Sequence, residues 1–110
     1  MAWLCREGEV LASLELAVTF GQRFRGLLGR DGLDGALLLR PARSVHTLGM
    51  RFPIDVAYCD QDLVVLNVVS MGRHRLGLPR LRARSVVEAQ AGAFERWRLR
   101  PGDHLEVKGE

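Results

Sequence analysis

Hydrophobic and polar positions alternate with a period of two along much of the chain, which is the pattern of half-buried β-strands. Within residues 10–18, Leu14, Leu16 and Val18 alternate with small or charged residues, so this stretch and residues 3–6 predict a hairpin around REGE. Further extended segments are predicted at 36–40, 44–50, 53–59, 63–70, 85–90 and 104–108.

One extended segment, LVVLNVVS at 63–70, is apolar at nearly every position. A strand that is buried on both faces shows this continuous pattern rather than a strict alternation. We therefore predict that it forms a central strand of the sheet.

The period changes to that of a helix over residues 20–28. Thr19 and Gln22 have the spacing of a capping box, and apolar side chains follow at helical intervals. Gly29 is placed where a left-handed residue would close the helix. Residues 92–97 (GAFERW) are also compatible with a helical turn.

A chain of 110 residues has the length of one domain, so we predict a single domain over residues 1–110. Many short strands, regular turn signals and one short helix near residues 20–28 predict a mainly β fold, a sandwich or a barrel. Cys5 and Cys59 are too few for a disulfide framework. Their strands could be neighbours and allow one bridge, but two small buried thiols are favoured.

The net charge is +3, and nearly all the basic residues are arginines, with Lys108 the only lysine. Such a balance permits binding to phosphates without requiring it. The N-terminus shows no basic region followed by an apolar run, and the longest apolar stretch, residues 63–71, is too short to span a bilayer. We expect a cytoplasmic protein without a membrane span.

Three segments, QRFRGLLGR, HTLGMRFPIDVAY and VVEAQAG…LRPGDHLEV, occur in an order that resembles the prokaryotic family known as domain of unknown function 192. The resemblance covers residues 10–108 and implies a compact β-sandwich of jelly-roll type with a small helix, but no activity. Many members carry an aromatic-Trp-Met-Lys-Asn-Thr run where this chain has VHTLGM, which looks like a His-Thr subtype. Roles of the missing Trp, Lys and Asn are therefore not carried over.

An aspartate and a histidine interrupt the otherwise apolar region 45–58. Asp55 shares a strand face with Ala57 and Cys59, where an unpaired carboxylate would be costly, so we expect backbone N–H donors or an arginine to satisfy it. In a functional role it would anchor a cationic or hydroxylated ligand. His46 alternates with apolar residues, which is more often the setting of a structural histidine than of a catalyst.

A second acidic residue, Glu88, lies in the apolar strand SVVEAQ. The leading structural hypothesis is a buried ion pair of Arg25 with Glu88 or with Asp55. Both Arg25 and Glu88 lie in segments that match the family. The candidate binding or structural polar site consists of Arg25, His46, Arg51, Asp55 and Glu88.

A loop rich in arginine, RHRLGLPRLRAR, follows the long apolar segment. It is a candidate phosphate or partner loop, since guanidinium groups match phosphates and carboxylates, although a solvated loop is the simpler interpretation. Its arginines are Arg73, Arg75, Arg80, Arg82 and Arg84. The loop lacks aromatic residues on which bases would stack, so nucleic acid is not the favoured ligand. Histidines and cysteines show no short metal-ligand spacing, so we predict no metal and no cofactor.

The sequence contains no complete set of catalytic residues at a useful spacing, and we predict no catalytic residues. This favours a non-enzymatic binding or accessory module with a polar groove around residues 45–58, which would take a small ligand or a protein partner. One alternative is a small hydrolase-like enzyme in which His46 is the base and Asp55 orients it. Another is binding of nucleic acid or phosphate through the arginine-rich loop, residues 73–84. The sequence leaves the oligomeric state open.

Overall fold

Seven strands and two short helices make up the part of the chain that the computed structural model describes, residues 1–109 apart from the side chain of Phe20. In chain order they are β1 (Ala2–Arg6), β2 (Glu9–Ala17), α1 (Phe20–Arg25), β3 (Ala36–Leu39), β4 (Ile54–Cys59), β5 (Val65–Met71), β6 (Ser85–Gln90), α2 (Ala93–Trp97) and β7 (Leu105–Gly109). The predicted mainly β fold in one compact domain is confirmed. Neither helix in the described residues has the length and apolar character needed to cross a membrane.

All seven strands join in one sheet, in the order β5-β4-β6-β3-β2-β1-β7. β2 and β3 pair in parallel, and the other neighbouring strands are antiparallel. The sheet curls so that its two outer strands, β5 and β7, come into contact at one end. There Val64 forms a bridge with His104, and the Leu105 amide donates to the Leu63 carbonyl at 2.9 Å. The pairing thus describes one continuous sheet, and a jelly-roll arrangement of two facing sheets stays a prediction.

Alternate residues of the strands face two apolar cores, one on each side of the sheet. Leu38 and Val87 face the first core, to which Phe94 of α2 contributes. Leu37 and Val86 face the second core, which is covered by α1 and by the turn that follows it. A side chain's position along a strand therefore decides which of the two cores it meets.

The first helix begins as predicted but is shorter than the predicted span 20–28. Thr19 accepts a hydrogen bond from the Gln22 amide, and the Gln22 side chain accepts one from the Thr19 amide, which completes the capping box. The helix ends at Arg25, because Gly26 adopts φ 51° and ψ −124°, a backbone conformation that residues other than glycine rarely adopt. Gly29, predicted as the closing residue, lies in the following turn.

The apolar segment predicted to be central forms β5 instead, at one edge of the sheet. It is apolar on both faces because Val68 packs against the first core while Leu66 and Val69 pack against the second. Val65 and Met71 are buried at its two ends, whereas Leu66, Val68 and Val69 are only half-buried. Continuous hydrophobicity was therefore a poor guide to the position of this strand in the sheet.

Residues 44–50, predicted to be extended, join a loop rather than the sheet. Their isolated bridge joins His46 to Leu76, and the Gly77 amide donates to the Val45 carbonyl at 2.8 Å. This segment lies over the second core, which it meets through Val45 and Met50.

Both cysteines are buried and free, as the sequence favoured. Their strands, β1 and β4, are not neighbours in the sheet, so the arrangement that would have allowed a bridge is not formed. Burial raises the pKa of the Cys59 thiol to about 12, which keeps it protonated and unreactive at neutral pH.

Candidate functional site

Glu88 is a buried acid between two apolar neighbours. It lies on β6, opposite Leu37 of β3 on one side and Val56 of β4 on the other. All three residues point to the second core, and Glu88 is only 4% exposed. The sequence signal, one charge in an apolar strand, identified this residue correctly as unusual.

The Glu88 carboxyl has no partner among the described residues that would stabilise its charge. Within residues 1–109 no hydrogen bond or ion pair joins it to another side chain or to the backbone. Burial therefore raises the pKa of Glu88 to about 7, from an ordinary value of 4.5. At neutral pH the carboxyl is divided between its protonated and charged forms.

The predicted pairs of Arg25 with Glu88 or Asp55 are not formed among the described residues. Arg25 is exposed at the end of α1, although it borders the same cavity as Glu88. Gly26 passes over the acid, and a Cβ added to it would lie 3.6 Å from Glu88 Oε1. The backbone turn at the end of α1 therefore lies over the carboxyl, and no guanidinium group of the described residues pairs with it.

A cavity of about 80 Å³ separates α1 from the sheet at this point. Glu88 forms part of its floor, and the segment 44–46 forms one wall. Its other lining residues include Leu27, Leu39 and Met50, which are buried in the second core. The result is a small, largely apolar cavity with one buried carboxyl, large enough for a few water molecules or a ligand group of similar size.

His46 brings a second polar group to this cavity. Its ring lies 6.2 Å from the ring of Phe24, centroid to centroid, and tilted by 59°. The ring atom Nδ1 is buried and has no hydrogen-bond partner in the described part of the chain. Of the predicted site residues, Arg25, His46 and Glu88 therefore border one cavity.

Thr47 fixes the position of His46, and the sequence did not reveal this role. Its hydroxyl donates to the Gly72 carbonyl at 2.7 Å and accepts from the Arg75 amide at 2.7 Å. Its own amide donates to the Arg75 carbonyl at 2.8 Å, and its carbonyl accepts from the His74 amide at 2.8 Å. The fully buried Thr47 thus joins two loops and turns His46 to the opposite side. A hydroxyl next to the histidine was the only signal in the sequence.

Asp55 lies on the other face of the sheet, among neighbours that satisfy it fully. Its Oδ2 accepts from the amides of Gly92 and Phe94 at 3.0 and 3.1 Å, and its Oδ1 accepts from the Ser70 hydroxyl at 3.0 Å. These bonds tie β4 to β5 and to the start of α2. The predicted satisfaction by backbone donors therefore describes Asp55 correctly.

The structure does not bring His46 and Asp55 together. Asp55 points to the side of the first core, as do Ala57 and Cys59, whereas His46 borders a cavity on the side of the second core. In this geometry Asp55 is not the hydrogen-bond partner that orients His46 as a base. Arg51 is also outside the cavity: it is exposed and pairs with Asp31 at 2.9 Å.

The arginine-rich loop divides into structural and free side chains. The guanidinium of Arg80 lies 4.9 Å from the centre of the Tyr58 ring, and Arg84 donates to the carbonyls of Leu81 and Ala83. Arg73, Arg75 and Arg82 are exposed, and their guanidinium groups make no hydrogen bond or ion pair with the described residues. No group of three or more His, Cys, Asp or Glu residues within 1–109 is arranged to hold a metal ion.

Two solved structures share this fold. A Novosphingobium aromaticivorans protein of unknown function matches with a TM-score of 0.77 at 21% identity, covering 96% of this chain and 82% of that one. A Sinorhizobium meliloti protein, proposed to be a transcription regulator, matches with a TM-score of 0.71 at 23% identity, covering 96% of this chain and 91% of that one. At these identities the likeness concerns the fold alone.

Sequence comparison gives a closer relationship. A UPF0127 protein of Thermococcus gammatolerans is 32% identical over 96 residues, which are 82% of this chain and 63% of that protein. The chain thus spans less than two thirds of that relative. The model of the DUF192 family, described as Uncharacterized ACR, matches residues 2–107. Because this match takes in almost every residue from the first strand to the last, the chain belongs to the DUF192 family.

Proposed function

We propose that this protein is a non-enzymatic binding module whose cavity beneath α1 takes a small ligand group carrying an amine. The observation that carries the proposal is Glu88, a buried carboxyl that faces the cavity and has no partner within the described residues. Buried carboxylates in folded proteins are normally paired or hydrogen-bonded. A bound amine would supply the missing partner.

The two polar groups of the cavity favour a ligand that donates hydrogen bonds. The charged carboxylate of Glu88 accepts hydrogen bonds only, and the Nδ1 of a neutral His46 can also accept one when the proton is on the other ring nitrogen. The volume of about 80 Å³ suits an ammonium or methylammonium group and excludes a large ligand body. We therefore infer that the ligand inserts a short amine terminus while its remainder lies outside.

The charged groups around Glu88 are compatible with such a ligand. Arg23, Arg25 and His46 are the other charged or titratable residues that border the cavity. Arg23 is directed to the Val18 carbonyl, to which it donates a hydrogen bond, and Arg25 is exposed to solvent. Arg25 is thus free to meet an acidic group elsewhere on the same ligand.

The test is a titration of the ¹⁵N-labelled protein with methylammonium, with ethylene glycol as an uncharged donor and acetate as an acceptor. We expect methylammonium to shift the amide signals of residues 25–27, 45–46 and 87–89, and acetate to leave them in place. Binding should strengthen as the pH is raised through about 7, since the amine needs the charged carboxylate. Glu88→Gln should weaken binding by at least about tenfold, because it removes the charge.

The matched control is Glu7→Gln. Glu7 is exposed in the turn between β1 and β2, and no hydrogen bond or ion pair engages its side chain within residues 1–109. This variant should bind methylammonium like the unmodified protein. Equal affinity of the Glu88→Gln variant, or no shift of the cavity amides with any ligand, would refute the proposal.

A further inference from the structure

The loop from Gly72 to Arg84, here called the Arg–Leu loop, combines positive charge with exposed leucines. Between Asp62 and Glu88 the sequence contains five arginines and no acidic residue. Three leucines of the loop are among the most exposed apolar side chains of the described residues: Leu76 at 73%, Leu78 at 73% and Leu81 at 82%. Large apolar side chains concentrated in this way mark interaction sites more often than ordinary surface.

The backbone of the Arg–Leu loop is held firmly, so its leucines are kept in solvent. Thr47 binds the loop through hydrogen bonds to Gly72 and Arg75. The Gly77 amide donates to the Val45 carbonyl at 2.8 Å, and the Arg80 amide donates to the Arg43 carbonyl at 2.9 Å. These bonds prevent the loop from folding its leucines back onto the second core.

The charges of the loop are equally available. Arg73, Arg75 and Arg82 flank the exposed leucines along the chain and have no acidic partner among residues 1–109. The surface nearby adds apolar area, since Leu48 follows the segment that pairs with the loop and is itself exposed. Unpaired guanidinium groups beside exposed leucines match a partner that offers negative charge at its surface and an apolar layer beneath.

We propose that the Arg–Leu loop docks on the surface of an anionic lipid bilayer. The leucines would enter the boundary between headgroups and acyl chains, while the guanidinium groups bind lipid phosphates and carboxylates. A nucleic acid fits less well, because the loop contains no aromatic residue. The aromatic ring beneath it, Tyr58, is fully buried and covered by Arg80, so it is closed to a base.

The test measures co-sedimentation of the full chain with vesicles of phosphatidylcholine alone, or with about 30% phosphatidylserine added, at low and physiological salt. We expect binding to the anionic vesicles only, weakening as salt is raised. Leu76→Ser combined with Leu78→Ser and Leu81→Ser should lower the partition coefficient by at least about tenfold. Arg73→Ser combined with Arg75→Ser and Arg82→Ser should lower it by about a hundredfold, at about fivefold for each arginine.

Two matched controls keep these outcomes specific. Val10→Ser with Val18→Ser removes exposed aliphatic side chains from β2 and its end, and Arg96→Ser with Arg100→Ser removes exposed arginines around α2. Both should bind anionic vesicles like the unmodified protein. The leucine variant binding as well as the unmodified protein, equal binding to uncharged vesicles, or retention on RNA without any binding to vesicles would each overturn the proposal.

Discussion

At the scale of single residues, two buried carboxyls in neighbouring strands meet opposite conditions. Asp55 on β4 accepts three hydrogen bonds, two of them from backbone amides, so it serves the structure. Glu88 on β6 accepts none within the described residues, and burial raises its pKa to about 7. Burying an apolar residue of similar size would cost less free energy than burying a carboxyl without a partner, so stability alone does not explain Glu88.

Glu88 should make the stability of the protein depend on pH. Its pKa is about 7 in the folded state and 4.5 when exposed, so the folded protein binds more protons than the unfolded chain between these values. The stabilising contribution is full below pH 4.5 and is lost as the pH rises through about 7. The difference between the two pKa values corresponds to about 3 kcal/mol of unfolding free energy. Denaturant unfolding at a series of pH values measures it.

The contribution of Glu88 is isolated by comparison with Glu88→Gln, since other groups also titrate in this range. The glutamine variant should lack the decline in unfolding free energy between pH 4.5 and 7 that the unmodified protein shows. Glu7→Gln, whose carboxyl is exposed, should retain it. Parallel pH profiles for the unmodified protein and the Glu88→Gln variant would contradict the assignment.

The positions of the two buried acids could be predicted from the sequence, but their partners and the role of Thr47 could not. Glu88 and Asp55 could be predicted because a charge in an apolar strand is visible in the chain. Their partners could not, because Asp55 bonds to amides 37 and 39 residues away and the predicted arginine pairs are absent from the described residues. The role of Thr47 could not be predicted for the same reason, since its hydrogen-bond partners lie in a loop 25 to 28 residues further along the chain.

At the scale of elements, local patterns predicted well where the strands lie along the chain, but predicted poorly where they lie in the sheet. The capping box placed the start of α1 correctly, because Thr19 and Gln22 act on each other locally. The predicted end of α1 lay three residues too late, at Leu28 instead of Arg25. The helix stops where the backbone of Gly26 passes over Glu88, which belongs to a distant strand. The edge position of β5 could not be predicted either, because a strand that packs partly against both cores has the same apolar pattern as a central strand.

Helix α2 should depend on Asp55 more than on its own sequence. It has five residues, too few for a stable helix in isolation, and its first residues are held by the Asp55 carboxylate. Asp55→Ala would leave the amides of Gly92 and Phe94 without their acceptor and should lower the unfolding free energy by about 2–4 kcal/mol. Urea denaturation measures this loss.

The matched control for this prediction is Asp31→Ala. Asp31 pairs with Arg51 at the surface, where both side chains are exposed, so the loss should stay within about 0.5 kcal/mol. Asp55→Asn should fall between the two, since one amide oxygen can still accept from the backbone. Equal stability of the Asp55→Ala and Asp31→Ala variants would show that the carboxylate does not anchor α2.

At the scale of the whole molecule, one sheet separates the proposed functions from the structural anchor. The amine cavity and the Arg–Leu loop both lie on the side of the second core, where Thr47 connects the segment lining the cavity to the loop. Asp55 and α2 lie on the side of the first core. Changes around Asp55 are therefore expected to act on stability, and changes in the loop on binding. Changes at Glu88 are expected to act on binding and on the pH dependence of stability.

The two cores should nevertheless unfold together, because the same strands carry both. Leu37 and Leu38, or Val86 and Val87, face opposite cores from adjacent positions, so neither core can lose its packing while the sheet persists. Trp97 reports on the first core, which it contacts, and Ile54, the only isoleucine of the chain, reports on the second. In a Trp3→Phe background, Trp97 fluorescence and the Ile54 methyl signal should follow urea with one midpoint and one slope. Separate midpoints would mean that the second core, with its cavity and loop, opens independently of the sheet.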